Sequence, residues 1–574
     1  MKALHITFRY GKDVYGGAEL YFRHLSEELS RRGVSVDICT TRTHTLTPFI
    51  KSGTAFDNSL RNEKINSVRV LRFPVIPQNR YLSFFFEKLI QRQRDQEERE
   101  SSSYIRKIVN DSLLEQESSL ADGWNQIERY GESSMRWTKS EASFSINDSN
   151  ISKISFFLTN PKKIPTQIEV SAEGYGEQRT VQTIAPSHSV SFQLKNISGL
   201  VTIKIHCQKS WHPIKDFRSL GVAISDIQYE TFSGIKMVDL EHDYRYLLNR
   251  QNKYIPYLMR LAKNRPKYFS WMFDYLRGPW SPGMEHWLDK NISDYDVVLA
   301  QMLPFNTIKY SFIAQKYKKP LILLPLMHVD DEFYHWGHYY AMLKSADCIF
   351  ALTSHSKNQV FDKLGSTCVN VGAGIDQEIF LSENIDGSRF REKYHLEDKK
   401  IILTVCRKSP IKHYEYIIKA IEEIHNDYNN IVMVMIGPDE DKIAIESKKV
   451  IYLGKIEEKD LVDAYDACDV FAMMSESESF GMVFCEAWSR KKPVIGNRNC
   501  GAVAALIDDN WDGFLCSDKT ELIIAITKLL IDKDTAVLFG ERGYQKVIKN
   551  YTWNIIADRI LKCYNTLTLR NLNG

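Results

Sequence analysis

The sequence predicts an α/β protein of two parallel-sheet domains, with an all-β module set into the first. Three observations predict it. Strand-sized apolar runs alternate with helical periodicity near the N-terminus and again after the middle of the chain. Between about Asp122 and Phe232 the period changes to two, with no helix intervening. A glycine pair, Gly16-Gly17, opens the first helix directly after the first strand. Strands alternating with helices make parallel sheets, whereas short alternating strands between turn signals make sandwiches.

Ala3 to Phe8 is the first predicted strand. Gly16-Gly17-Ala18-Glu19 starts a helix whose Leu20, Phe22, Leu25 and Leu29 recur near helical spacing. Val34 to Thr40 and Val68 to Phe73 are the next strands. The charged stretch Gln91 to Glu100, with three serines behind it, is a solvated helix or a linker. The β module follows, with strands at Ala142–Ile146, Lys153–Leu158, Gln167–Ala172, Ser189–Leu194, Leu200–Cys207 and Gly221–Tyr229. Asn160-Pro161 and Gly174-Tyr175-Gly176 mark turns between them. The α/β pattern resumes at Val297–Ala300, Leu321–Pro325 and Cys348–Leu352. A second α/β unit carries strands Ile401–Val405, Ile431–Ile436, Val450–Leu453, Val470–Met473 and Pro493–Gly496.

Composition narrows the function classes. The 574 residues suggest about three or four domains. With 75 basic residues against 72 acidic, the net charge of +3 speaks against a nucleic-acid coat. No apolar run approaches the roughly 20 residues that span a bilayer, and the N-terminal apolar stretch is too short for a signal peptide. The 10 cysteines lie singly, without a Cys-x-x-Cys pair. They suggest buried thiols of a reducing, cytoplasmic compartment.

Chemistry concentrates in the second α/β unit. Ser475-Glu476-Ser477-Glu478-Ser479-Phe480-Gly481-Met482-Val483-Phe484-Cys485-Glu486 follows a buried strand directly. Open α/β sheets bind ligands at the carboxyl ends of their strands. Glu478 is expected in that loop, Ser479 as a helix cap, and Glu486 about one and a half turns into the following helix. Two carboxylates so placed can reach two parts of one ligand. Arg407 and Lys412 follow the strand Ile401–Val405, and two cations there suit a diphosphate. Gly16 and Gly17 allow close backbone approach at a helix start, which attracts anions, although a simple tight turn has the same sequence. His328 follows Leu321–Pro325 and precedes Asp330-Asp331-Glu332. Asp439-Glu440-Asp441 has a spacing that can hold a divalent cation, but a match this short arises by chance.

In this order, these motifs resemble the retaining glycosyltransferases of family 4, which have the GT-B fold. The most specific part is the Glu-x7-Glu pair, Glu478 and Glu486, with Phe480-Gly481 between. Gly374-Ile375-Asp376, Tyr465-Asp466-Ala467-Cys468-Asp469-Val470 and Trp553 support it. The resemblance implies two Rossmann-like domains facing across a cleft. Expected boundaries are 1–100 and 236–385 for the N-terminal domain, 101–235 for the inserted sandwich and its linker, 386–552 for the nucleotide-sugar domain, and 553–574 for a helix crossing back. It further implies that Arg407 and Lys412 neutralise the donor diphosphate, that Glu486 holds the ribose and that Glu478 holds the transferred sugar. Gly16 and Gly17 would offer backbone N–H groups to the phosphates, and His328 would sit beside the sugar. Ser479, Phe480, Gly481, Gly437 and Ile456 would line the donor pocket. A nucleotide-sugar is then a co-substrate, with no cofactor or metal required. Cys406 stands where many members have glycine, and Gln301 where others have histidine.

The insert, with Gly123-Trp124-Asn125 and Trp211-His212-Pro213, resembles an accessory sandwich fused to some glycosyltransferases. Trp124, Trp137 and Trp211 can stack on sugar rings if exposed, or pack a sandwich core. Residues 263–280 mix aromatic and basic side chains, which suits either a peripheral membrane contact or a core helix. The expected activity is sugar transfer onto a glycan or lipid-linked acceptor. The alternative is a glycan-binding or scaffold protein with a non-catalytic core.

Overall fold

A computed structural model describes residues 1–11, 14, 16–42, 62–76, 80–113, 117–130, 133–181, 187–211, 218–240, 280–301, 312–331, 337–424 and 430–573. It also describes positions 243, 244, 247, 257, 272, 276, 310 and 334. Two compact units emerge: Met1–Gln78 with Arg277–Gly574, and Asn79–Leu276. Residues 263–280, read as a membrane contact or core helix, lie almost wholly outside the described positions. Among the described residues, no helix is long and apolar enough to cross a membrane.

The first unit holds two sheets. One contains β1 (Lys2–Ile6), β2 (Ser35–Thr41), β3 (Asn62–Ile65) and β4 (Val68–Phe73), with β14 (Val297–Gln301), β15 (Leu321–Leu324), β16 (Cys348–Ala351) and β17 (Cys368–Asn370). Its order is β17-β16-β15-β14-β1-β2-β4-β3, parallel except for β3. The other contains β18 (Lys400–Val405), β19 (Ile431–Ile436), β20 (Val450–Gly454), β21 (Val470–Met473), β22 (Val494–Asn497) and β23 (Gly513–Cys516). Its order is β20-β19-β18-β21-β22-β23, parallel throughout. Such strands are covered on both faces, which explains continuous apolar runs such as Ile431–Ile436. In each sheet the chain order reverses next to the first strand: between β1 and β14, and between β18 and β21. Crevices for ligands open at such reversals.

The final helix, Trp553–Asn573, packs on the N-terminal half. Trp553, Ile556, Ala557, Ile560, Tyr564 and Leu567 are buried at three- and four-residue spacing. His5, on β1, lies between Ser26 Oγ at 2.8 Å and Tyr564 Oη at 2.9 Å. Burial keeps that imidazole well below its ordinary pKa, at about 3, so it is neutral. The Trp553 ring stacks on His24 at 5.6 Å and meets Tyr21 edge-on at 5.0 Å.

The second unit is wider than the expected 101–235. The helices Arg80–Glu100 and Ser102–Ser112 belong to it, because Glu98 accepts from Gly123 N–H and pairs with Lys139. The charged stretch 91–100 is therefore helix. The rest is antiparallel: β5 (Ser118–Leu120), β6 (Trp124–Tyr130), β7 (Ser133–Thr138), β8 (Glu141–Thr159), β9 (Thr166–Ala172), β10 (Tyr175–Val181), β11 (Ser187–Cys207), β12 (Ala223–Thr231) and β13 (Gly234–Met237). These strands form one continuous sheet. A straight strand would separate Phe144 from Phe156 by about 40 Å. Their rings are 6.2 Å apart, so β8 doubles back on itself. The bend falls where register shifts interrupt the β8–β11 ladder and where Asn150 and Asn196 adopt positive φ. The core is thus enclosed by a folded sheet.

Trp124 belongs to that core. It is fully buried, and its indole donates to the Ser143 carbonyl at 2.7 Å, so it has no face for a sugar. Trp137 and Trp211 are half-buried and meet edge-on at 5.8 Å. Trp124→Ala should therefore cost about 3–5 kcal/mol in the stability of this unit by denaturant titration. A loss below about 1 kcal/mol would mean the ring is not in the core.

Candidate functional site

The two loops that flank the β18/β21 reversal meet. After β18 the chain makes a short 3-10 turn, Pro410–Lys412, and reverses at His413 with φ of 46°. After β21 it runs Met474 to Phe480 before the helix Met482–Ser489. Glu476 N–H donates to the Ile411 carbonyl at 2.9 Å, tying one loop to the other. The tie brings Lys412 and Glu478 together: Nζ lies 2.5 Å from Oε1. Both side chains are largely buried, with 9% and 13% exposure. Ser475 Oγ lies 3.4 Å from the same ammonium.

Burial alone would lift the Glu478 carboxyl. The Lys412 charge, with hydrogen bonds from Lys412 and Ser475, outweighs it and holds the group below the usual carboxylate range. His328 comes from the N-terminal half and sets Nδ1 3.3 Å from Ser477 Oγ. Its ring stacks on Tyr334 at 5.2 Å. Burial lowers its pKa, with Lys412 and Arg407 adding to that and Glu478 and Asp330 opposing it. The imidazole is thus neutral at pH 7 and can donate or accept one hydrogen bond.

Glu486 lies in the second turn of the helix Met482–Ser489 and accepts from Tyr465 O–H at 2.6 Å. Burial raises its pKa to about 7, against the lowering effect of that hydrogen bond. The helix starts one step later than the sequence suggests. Gly481, at φ 95°, is the N-cap, and Ser479 is not. The left-handed conformation, with Phe484 2.9 Å from where a Cβ would stand, requires glycine here. Phe480 is buried against Tyr551.

The other predicted residues take separate places. Arg407 is half-exposed and turns to Glu440, with Nη1 at 3.0 and 2.9 Å from the two oxygens. Gly437 lies so close to Cys406 that a Cβ would fall 1.8 Å from its carbonyl oxygen, and its own carbonyl accepts from Tyr452 O–H at 2.8 Å. Ile456 is half-buried beyond β20, against the core. Gly16 caps the helix Gly17–Arg31, where Glu19 pairs with Arg9. A Cβ at Gly17 would meet nothing within 4 Å, so the backbone there is open. Gln301 lies at the β1/β14 reversal, accepting from Thr7 Oγ1 at 3.2 Å and donating to the Ala18 carbonyl at 2.5 Å.

Sequence reasoning missed the role of several residues. Asp439 and Asp441 enclose the buried Lys408 ammonium, which also donates to the Ile443 carbonyl at 2.7 Å. The Asp-x-Asp spacing thus clamps a lysine and fixes the loop after β18. Among the described residues, no three His, Cys, Asp or Glu side chains converge as a metal site would require. Ser475, Ser477 and Tyr465 complete the contacts of Lys412, His328 and Glu486. The alternation of serine and glutamate over 475–479 is the one sequence signal that marked the first two.

Residues 387–546 match the family model of the group 1 glycosyl transferases, which spans β18 to β23 and both loops. A probable sucrose-phosphate synthase of Thermosipho melanesiensis is 26% identical over 214 residues, 35% of this chain and 48% of its own length. A GDP-mannose-dependent alpha-(1-6)-phosphatidylinositol monomannoside mannosyltransferase of Mycobacterium tuberculosis is 22% identical over 233 residues, 37% of this chain and 60% of its own. The chain thus spans about half to three fifths of these curated relatives. The sucrose-phosphate synthase structure from Thermosynechococcus elongatus aligns over 99% of both chains, with a TM-score of 0.52 and 13% identity. The fold is GT-B, with an additional antiparallel unit, and the second α/β half is the part that matches the group 1 family model.

The Glu486 shift has a sign that can be tested. The folded state keeps its proton to about pH 7, whereas an unfolded glutamate loses it near 4.3. Stability should therefore fall as pH rises between those values and level off above them. Glu486→Gln, which still accepts from Tyr465, should lack that slope when unfolding is compared from pH 5 to 8. Parallel profiles for the two proteins would contradict the assignment.

Proposed function

We propose that the protein is a retaining, metal-independent glycosyltransferase that moves a sugar from a nucleotide-sugar to a glycan or lipid-linked acceptor. The observation that carries this reading is the buried Lys412–Glu478 pair at the β18/β21 reversal, inside the group 1 domain. An ammonium beside a carboxylate at a strand end offers one group for a diphosphate and one for sugar hydroxyls. Arg407, half-exposed at the start of the same loop as Lys412, supplies a second cation for the same phosphates by turning from Glu440. These cations are the basis for proposing that no metal is needed.

Glu486, in the second turn of the following helix, is the group that would accept from the ribose hydroxyls. Open backbone at Gly17 faces anions from the other half. In the transfer, the acceptor hydroxyl forms the new bond to the anomeric carbon on the face the diphosphate leaves. The anomeric bond to the diphosphate oxygen breaks, and that oxygen takes the acceptor proton. The nucleoside diphosphate departs. No protein base is needed, and the protein acts by positioning and preorganised charge. His328, neutral, is placed to hydrogen-bond the transferred sugar.

The test is a thermal-shift panel with UDP, GDP, ADP and their sugar conjugates, with and without chelator. One nucleotide family should raise the melting temperature, unchanged by chelator. With the sugar conjugate of that nucleotide, Glu478→Ala should depress turnover more than nucleotide binding, and Glu486→Ala should weaken nucleotide binding itself. No shift with any nucleotide would favour a glycan-binding or scaffold role.

A further inference from the structure

Two residues beyond His328, Asp330 reaches the opposite α/β half. Its Oδ2 accepts the Gly501 N–H at 2.9 Å, and its Oδ1 lies 3.3 Å from His355 Nε2. The Asp330 side chain is 9% exposed. A Cβ on Gly501 would fall 2.2 Å from the His355 ring, so the imidazole packs on bare backbone. From Gly501 a short path leads back to the site. Asn499 N–H donates to Asn497 Oδ1 at 2.9 Å, and the Asn497 amide donates to the carbonyls of Met474 and Ser475 at 3.3 Å each. Ser475 Oγ donates to the Ser477 carbonyl at 3.1 Å, and Ser477 Oγ faces His328 Nδ1. The loop of His328 and the loop of Glu478 are thus joined twice, once through Ser477 and once through Asp330.

We propose that Asp330 is a positioning residue for the transfer: through the Gly501 N–H and His355, its carboxylate holds the Glu478 loop against the His328 loop in the arrangement that reacts. The inference rests on the glycosyltransferase reading of the site. Asp330 spends Oδ2 on the Gly501 N–H and sets Oδ1 beside the His355 ring, so its effect falls on the register of the two halves and not on donor affinity. A charge-assisted hydrogen bond at a largely buried position is strong enough for that role. The second α/β half supplies the nucleotide contacts whether or not the contact is made.

The experiment compares Asp330→Ala, Asp330→Asn and Gly501→Ala with the wild type in the full chain. Asparagine keeps an oxygen for the Gly501 N–H and loses only the charge. Alanine at 501 disturbs the same contact from the other side. Three quantities are read: calorimetric affinity for UDP, GDP and ADP, turnover of the sugar conjugate of whichever binds, and hydrogen exchange in peptides covering 326–331 and 497–504. For Asp330→Ala, nucleotide affinity should stay within about threefold while kcat falls at least about tenfold, and exchange should quicken in both segments. Gly501→Ala should give the same split, and Asp330→Asn an intermediate one. The proposal is overturned if kcat of Asp330→Ala and Asp330→Asn stays within about twofold of wild type, or if affinity and kcat fall together. It is equally overturned if exchange in both segments is unchanged. A wild type that binds none of the three nucleotides overturns the functional reading instead, while the exchange comparison still decides whether Asp330 ties the loops.

Discussion

The site is organised around one buried ion pair, Lys412 with Glu478. Taking two charges out of water costs several kcal/mol each, and the cost is recovered only when the geometry is good and further hydrogen bonds are made. Much of the local structure serves that condition. The Glu476–Ile411 backbone bond sets the two loops side by side. Ser475 adds a hydroxyl to the ammonium, and Gly481 turns the chain into its helix without moving Glu478 away. Lys408, clamped by Asp439 and Asp441, ties the first loop to the loop after β19. A diphosphate arriving here would meet a cation already desolvated and held in place. Its sugar would meet a carboxylate kept ionised by that cation.

The N-terminal half supplies the opposite wall by the same logic. Its sheet also reverses next to its first strand, and Gln301 bonds Thr7 and the Ala18 carbonyl at that reversal. His328 enters from the end of β15, held by Ser477 on one side and Tyr334 on the other. Arg32 and Asp558 pair across the contact between the first and last helices, and the buried His5–Tyr564 bond anchors the last helix to β1. Both walls thus present strand-end loops held in part by buried side chains, Thr7 and Gln301 on one and Ser477 on the other.

Much of this was legible in the sequence, and the reasons for the rest are physical. Buried parallel strands are continuous apolar runs, so Ile401–Val405 and Ile431–Ile436 stood out, and the loops after them were placed correctly. Period-two alternation predicts the antiparallel module of the second unit, but it cannot show that β8 and β11 bend in mid-strand and fold one sheet around the core. Trp124 was a candidate because indole suits both a core and a sugar, and only burial tells them apart. Ser479 is a good cap by residue type, but the left-handed turn at Gly481 displaced the helix start. Asp439 and Asp441 carried no mark of their lysine partner, since Lys408 lies 31 and 33 positions away. Asp330 and Gly501, 171 positions apart, meet only through the tertiary fold.

The most direct test of the central claim replaces the ion pair by a neutral pair of similar size, Lys412→Gln with Glu478→Gln. This variant removes both charges together and leaves no unpaired buried charge. Calorimetric titration with the nucleoside diphosphate that stabilises the wild type should show affinity reduced at least about tenfold, roughly 1.4 kcal/mol, in a protein that stays folded. Affinity equal to the wild type in that folded variant would mean that the diphosphate binds elsewhere, and that the pair serves the fold alone.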